Sequence, residues 1–419
     1  MPHLACRGAT GRVGTLCAVS DLCKTTDVLV VGAGGAGLSA AWAARRAGAD
    51  VLHVTKGSKA SCNTAKAQGG IQAAVGDDDS PEQHASDIVA SSHDTADPGL
   101  ASILAEEAPG AIAWLEELGV GFSREGDGYR LARCGGASRR RLLQVGDRTG
   151  HAIATALRKA LDAEGGPIHD HTALVGLERT NGHFKVELEQ GGELLHVDAG
   201  TVVLAAGGRC YAEARQAGIL TTNQPGATGE ATALARALGA EVRDYDALQH
   251  HPNGGVWPPP LQGYSIPETT RGYGALLLNA KGERFVDELA PRDTVAAAIV
   301  RECDEGRGLE TPDGRPAVLL DTTLIDPEVA AQVIPYMLRR YRANGVDPLT
   351  EPILTYPVLH YQNGGLVIDA QGQTTVAGIF AAGEITGGVH GRNRMMGNSL
   401  LDCAVYGRRA GRAAAAAAG

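Results

Sequence analysis

Three glycines at one spacing mark the first place where this chain can do chemistry. Gly32, Gly34 and Gly37 form a Gly-x-Gly-x-x-Gly turn with Gly35 and Ala36 inside it. Small residues there let a pyrophosphate approach backbone N–H groups, and a following helix N-terminus adds partial positive charge. Far along the chain, Arg292 and Arg394 stand in Pro/Gly-rich, non-periodic sequence. They read either as surface salt-bridge arginines or as loop residues that hold a ligand. A guanidinium fork matches a carboxylate with two parallel bonds. Taken singly, His251 reads as a satisfied structural histidine more readily than as a ligand. His84, His93, His169, His171, His183, His196 and His250 get the structural reading.

The glycine turn needs a strand before it and a helix after it. Asp27 to Val31 is an apolar, β-branched run that suits a buried parallel strand, and Leu38 to Ala47 is an Ala/Leu-rich helix stopping at Gly48. Ala49 to Val54 predicts the second strand. An NAD site carries an acid near the end of that strand; Thr55-Lys56 stand there instead, which favours FAD with a different ribose contact. The loop from Ser61 to Ile71 contains Asn63, Thr64, Ala67, Gln68, Gly69 and Gly70. Its paired glycines either bring N–H groups against a ring system or make an ordinary connection. Residues 81 to 120 have helical spacing, and Thr149 is placed to cap a helix over Ala152 to Glu164. Thr172 to Leu195 alternates as strands around Thr180-Asn181-Gly182. Thr201 to Leu204 is a further buried strand leading to Ala206 and the pair Gly207-Gly208.

From Glu241 to Pro352 prolines cluster and the pattern mixes strands with helices, as a second domain inserted into the first would. The Gly-rich pattern returns with a strand over Thr375 to Ala382, then Gly383-Glu384. Asn398-Ser399-Leu400 open a final helix. The expected division is a leader over 1–25, a dinucleotide domain over 26–240 and 354–419, and an inserted domain over 241–353.

Composition bounds the function. A chain of 419 residues suits two domains. A net charge of −10 argues against nucleic acid as a partner. No apolar run approaches the roughly 18 to 20 residues of a membrane span. The eight cysteines are scattered without a CxxC, which suits a reduced, cytoplasmic protein and gives no metal site. Cys6, Cys17 and Cys23 share the leader, with either a metal or redox role or none.

Together these motifs resemble the flavoprotein subunits of succinate dehydrogenase and fumarate reductase, with L-aspartate oxidase, over about Asp27 to Gly411. The resemblance is carried by Gly32 to Gly37, Ala67-Gln68-Gly69-Gly70, Asp147-Arg148-Thr149-Gly150-His151, Gln249-His250-His251-Pro252, Leu289-Ala290-Pro291-Arg292-Asp293, His360-Tyr361 with Gly364-Gly365, Ala382-Gly383-Glu384, and His390-Gly391-Arg392-Asn393-Arg394 with Asn398-Ser399-Leu400. It implies an α/β fold: a Rossmann-like FAD-binding domain with an inserted α+β capping domain, and a C4 dicarboxylate held between them. His251, His360 and Arg394 would bind the carboxylates, and Glu268 would also belong to the substrate-binding residues. Arg292 would move a proton while hydride passes to or from the flavin, with Asp293 tuning or orienting it, and Arg271 is a weaker candidate. Glu384 would bond the ribityl chain or ribose, and Ser399-Leu400 would sit near the ring. An iron–sulfur subunit is the implied electron partner, peripheral on the inner face of a membrane through further subunits.

The departures shape the reading. Covalent members place a histidine where Asn63 stands, so non-covalent FAD is expected. Aspartate oxidases have a glutamate where Cys134 stands, which favours succinate/fumarate over L-aspartate. Pro267 replaces a carboxylate-binding threonine, with Ser265 or Thr269 as substitutes. The family's C-terminal helical domain is expected to be absent, which leaves a flavin-binding module without turnover as a further alternative.

Overall fold

A computed structural model of the chain describes residues 24–419. The leader cysteines Cys6, Cys17 and Cys23 lie outside the described residues.

The glycine turn is where the main sheet begins. Strand β1 (Thr25–Val31) runs into it, and helix α1 (Gly35–Arg46) leaves it. Val28, Leu29 and Val30 have no solvent exposure, and each such burial stabilises by roughly 1.5–3 kcal/mol. Five further strands of this sheet are β2 (Val51–Val54), β3 (Ile168–His169), β4 (Thr172–Thr180), β5 (His183–Gln190) and β6 (Glu193–Leu204). Their order is β3-β2-β1-β6-β5-β4. The β3, β2, β1 and β6 pairings are parallel, while β6-β5-β4 form an antiparallel meander. The sequence pattern suggests separate strands for the alternating 172–195 segment and the buried run at 201–204. They share a strand: β6 pairs β5 through its first half and β1 through its second. Its exposure changes along its length, from half-solvated to fully buried, and so does its hydropathy.

A second, antiparallel sheet has its own apolar core around Leu277, Val295, Val318 and Met337. Its strands β7 (Leu248–Gly255), β8 (Leu276–Leu278), β9 (Pro316–Asp321) and β10 (Ile353–Gln362) lie in the order β7-β10-β9-β8. The edge at 353/354 expected from the sequence falls at the head of β10. The chain then returns to the first sheet through β11 (Ile379–Ala381), which lies parallel to β6. That strand is shorter than Thr375 to Ala382, because Thr374 Oγ1 turns back onto the Val376 and Ile379 carbonyls.

Three helices begin beside the space that the two sheets share. They are α2 (Asn63–Lys66), α3 (Thr149–Ala163) and α4 (Arg292–Asp304). Thr149 lies within α3 and does not cap it; its hydroxyl accepts from Val145 N and donates to Gly69 O, tying the helix to the glycine pair. The last helix, α5 (Asn398–Ala418), lies on α1. Side chains at Gly407 and Gly411 would run into the Ala36 and Ala40 carbonyls, at 2.8 and 2.1 Å. No helix among the described residues is long and apolar enough to cross a membrane.

Candidate active site

One cleft of about 1320 Å³ runs from the glycine turn to the strands of the second sheet. Its near end is built by Gly32, whose φ of +112° and whose packing against Ala205 O require glycine. Gly37 does not line the cleft. A Cβ there would lie 1.8 Å from Gly32 O, so its task is close helix–strand packing. Gly34 faces open room, with Thr64 Oγ1 3.5 Å from where a Cβ would sit.

The walls follow from loops at strand ends. Gly34, Gly35, Ala36, Thr55, Lys56, Asn63, Thr64, Ala67, Gln68, Gly69, Gly70, Ala206, Gly207, Glu384, Ser399 and Leu400 all line the cleft. Lys56 Nζ bonds Thr228 Oγ1 and Glu230, so the residue that replaces the NAD-type acid is itself paired with one. Asn63 Nδ2 donates to Asn223 Oδ1 at 2.6 Å, and Asn63 Oδ1 accepts from Gln224 N. Burial pushes the Glu384 carboxyl from its ordinary 4.5 up to about 7. Asn398 departs from expectation: its side chain is buried outside the cleft, where Oδ1 meets His84 Nε2 at 3.1 Å.

At the far end four candidates from distant segments meet. Gln249 and His251 stand two apart on β7 and are both buried, whereas His250 points to the other face. Asn253 N–H donates to His251 Nδ1 at 3.1 Å, which leaves the ring proton on Nε2. The ring packs edge-on to His360, 5.1 Å between centroids, and Thr222 Oγ1 meets His360 Nδ1 at 2.7 Å. Burial first, then neighbouring cations, hold His251 well below its ordinary range. Burial first, then His251 and the arginines, do the same to His360. The same burial and neighbouring cations favour the neutral form of both rings.

Arg292 opens α4 and donates from Nε to Glu268 Oε2 at 2.6 Å. Glu268 also accepts from Gly135 N and pairs with Arg271 at 3.4 Å. Burial alone would raise this carboxyl, but Arg292 and Arg271 outweigh it and hold it below the usual range. The Asp293 side chain makes no hydrogen bond to Arg292; it bonds His93 at 2.6 Å and Asn393 at 2.9 Å. Arg394 lies 4.2 Å over the Tyr361 ring. Its acceptors are Gln249 Oε1 and Met395 O, and no carboxylate among the described residues pairs with it. Burial first, then Arg292, lower it to about 10. Ser265 lines the cleft and Thr269 does not.

Cys134 is buried behind this end. Gln72 Nε2 reaches its sulfur at 3.2 Å, and burial pushes the thiol up to about 12. Gln249, Tyr361 and Asn393 stand inside motifs quoted from the sequence but carry no expected role there, and Thr222 carries none either. The strand period would have paired Gln249 with His251; Thr222 and Asn393 come from loops without such a period.

The donor set fits a flavin dinucleotide. Open backbone stands at the glycine turn, helix α1 starts from that turn, and the half-buried Glu384 carboxyl lines the same cleft. The sequence matches the FAD binding domain family over residues 27–400. This chain belongs to that family. A fumarate reductase (CoM/CoB) subunit of Methanothermobacter marburgensis is 37% identical over 404 residues, 93% of this chain and 72% of that protein. L-aspartate oxidase of Streptomyces coelicolor is 39% identical over 405 residues, 91% of this chain and 67% of that protein. Among solved structures, a mutant FrdA chain of E. coli quinol fumarate reductase superposes with a TM-score of 0.86 at 30% identity, covering 94% of this chain and 70% of that one. FAD is therefore the cofactor of this family member, and the family is one of FAD-dependent oxidoreductases.

Proposed function

We propose that this chain is a flavoprotein that interconverts succinate and fumarate, with residues 26–240 and 354–419 holding FAD and 241–353 capping it. One observation carries the substrate class. Arg394 is a buried cation with no carboxylate partner among the described residues, and it shares a single neutral acceptor with Arg292. A buried charge is stable only when paired, and the carboxylates of a C4 dianion complete the site. Arg394 grips one carboxylate with its fork, and the neutral His251 and His360 donate to the carboxylates. FAD, when bound, supplies the hydride acceptor or donor. Oxidation of succinate removes a hydride from one carbon and a proton from its neighbour and forms the C=C bond. In fumarate reduction the Arg292 guanidinium, bonded to Glu268, gives the proton and regains one from solvent before the next turnover; succinate oxidation runs the same transfer in reverse, onto an Arg292 that has first lost its proton.

Cys134 supports succinate/fumarate over L-aspartate: a neutral thiol offers no counter-charge to an α-ammonium. The 39% identity to an L-aspartate oxidase supports the second reading. Anaerobic bleaching of the flavin decides between them, with succinate faster in the first and L-aspartate faster in the second. Arg292→Ala should abolish bleaching with FAD retained; unchanged bleaching would remove Arg292 from its role.

FAD is held without a covalent bond, because the Asn63 amide has no nucleophilic ring nitrogen. Acid precipitation should release the yellow colour into the supernatant. An iron–sulfur subunit receives or supplies the electrons, and the assembly is cytoplasmic, peripheral on the inner face of the membrane through further subunits.

A further inference from the structure

We propose that Asn393 is a positioning residue. It fixes which way the Gln249 carboxamide faces, and through it holds Arg292 and Arg394 on one acceptor. This role rests on the reading that the two arginines bind a dicarboxylate.

Donor and acceptor identities determine the arrangement. Ser91 O and the Asp293 carboxylate can only accept, and they lie 2.8 and 2.9 Å from Asn393 Nδ2. The Asn393 nitrogen is thereby fixed on their side, and Oδ1 must face Gln249. There it accepts from Gln249 Nε2 at 2.9 Å. The same Nε2 donates to the Arg394 carbonyl at 2.9 Å, another group that only accepts. Gln249 Oε1 is left facing two guanidiniums, which only donate: Arg292 Nη1 at 3.2 Å and Arg394 Nη2 at 3.1 Å.

Turning either amide over would set an NH2 against cations or against another NH2 and strand acceptors. Gln249 and Asn393 are 3% and 5% exposed, so water cannot repair the mismatch. The anchors also come from separate places. Ser91 ends the helix Pro81–Ser91, and Asp293 is the second residue of α4, directly after Arg292. One amide thus joins the helix that bears Arg292, the loop that bears Arg394 and the strand that bears His251.

A double-mutant cycle tests this. Asn393→Ala, Gln249→Leu and the double variant are compared with the parent in fumarate reduction, in FAD absorbance, and in binding of malonate, a non-reacting dicarboxylate, read from the flavin spectrum. Displacing the arginine pair by about 1 Å should cost each single variant about a hundredfold in kcat/KM. Malonate should bind more weakly in both, with FAD content unchanged. If Asn393 acts through Gln249, the double variant falls no further than Gln249→Leu. A double variant that loses the product of the two single effects overturns the proposal. So does Asn393→Ala turning over within about twofold of the parent. Should Asn393→Ala fail to fold, Asp293→Ala removes one of its anchors at a partly exposed position, and the same cycle with Gln249→Leu decides on the same terms. A parent that turns over no dicarboxylate removes the functional reading and this role with it; an active parent with additive variants removes this role alone.

Discussion

At the residue scale, the proposed function rests on one buried charge, Arg394, that pairs with no carboxylate among the described residues. Arg394 makes the most direct prediction. A lysine there keeps the charge and loses the planar fork, so Arg394→Lys should retain FAD absorbance and lose about a hundredfold or more in kcat/KM for fumarate, within the 2–5 kcal/mol typical of breaking a buried charge pair. Steady-state rates at fixed FAD content measure it, and a rate near that of the parent would take Arg394 out of carboxylate binding. Glu384 gives a pH prediction. Its folded pKa is raised from 4.5 to about 7. A raised carboxyl contributes stability that is full below 4.5 and is lost as the pH rises through 7. The apoprotein's melting temperature should therefore fall relative to Glu384→Gln over that window, with the two converging near pH 4.5. Parallel curves would mean that Glu384 does not titrate there. These residues were legible because types and spacing recur in motifs. Side-chain direction was not, which is why Asn398 was expected in the cleft while its amide turns to His84.

At the element scale, the turn between β1 and α1 separates two demands that the sequence pattern runs together. Gly37→Ala places a methyl on the Gly32 carbonyl, so it should abolish accumulation of folded protein. Gly34→Ala meets only Thr64 Oγ1 at an ordinary contact distance, so it should fold, melt near the parent and bind FAD weakly. FAD content and thermal melts of the two variants check this; equal FAD content in Gly34→Ala and parent would contradict it. Strand period and glycine turns made most elements readable. What escaped was continuity. β6 passes from a solvated meander into the buried sheet, and a local window reads that change of environment as two strands.

At the scale of the whole molecule, the cleft lies between two apolar cores, and its lining comes from nearly the full length of the chain. A ligand that fills it stabilises the folded state by mass action, about 2.7 kcal/mol at a hundred times its dissociation constant. Melting of the apoprotein should rise steadily with added FAD; a midpoint indifferent to FAD would mean that the cleft does not hold it. The proline-rich change of character near Glu241 leads into a second sheet with its own apolar core, and the expected edge at 353/354 meets the start of β10. The last helix adds a consequence in time. Ser399, Leu400 and Cys403 form part of the cleft wall, and Gly407 and Gly411 seat α5 on the backbone of α1, which was made some 370 residues earlier. During synthesis the glycine turn leaves the ribosome long before this wall exists. The cleft therefore cannot close around a cofactor until residues 399–403 have emerged and α5 has docked on α1.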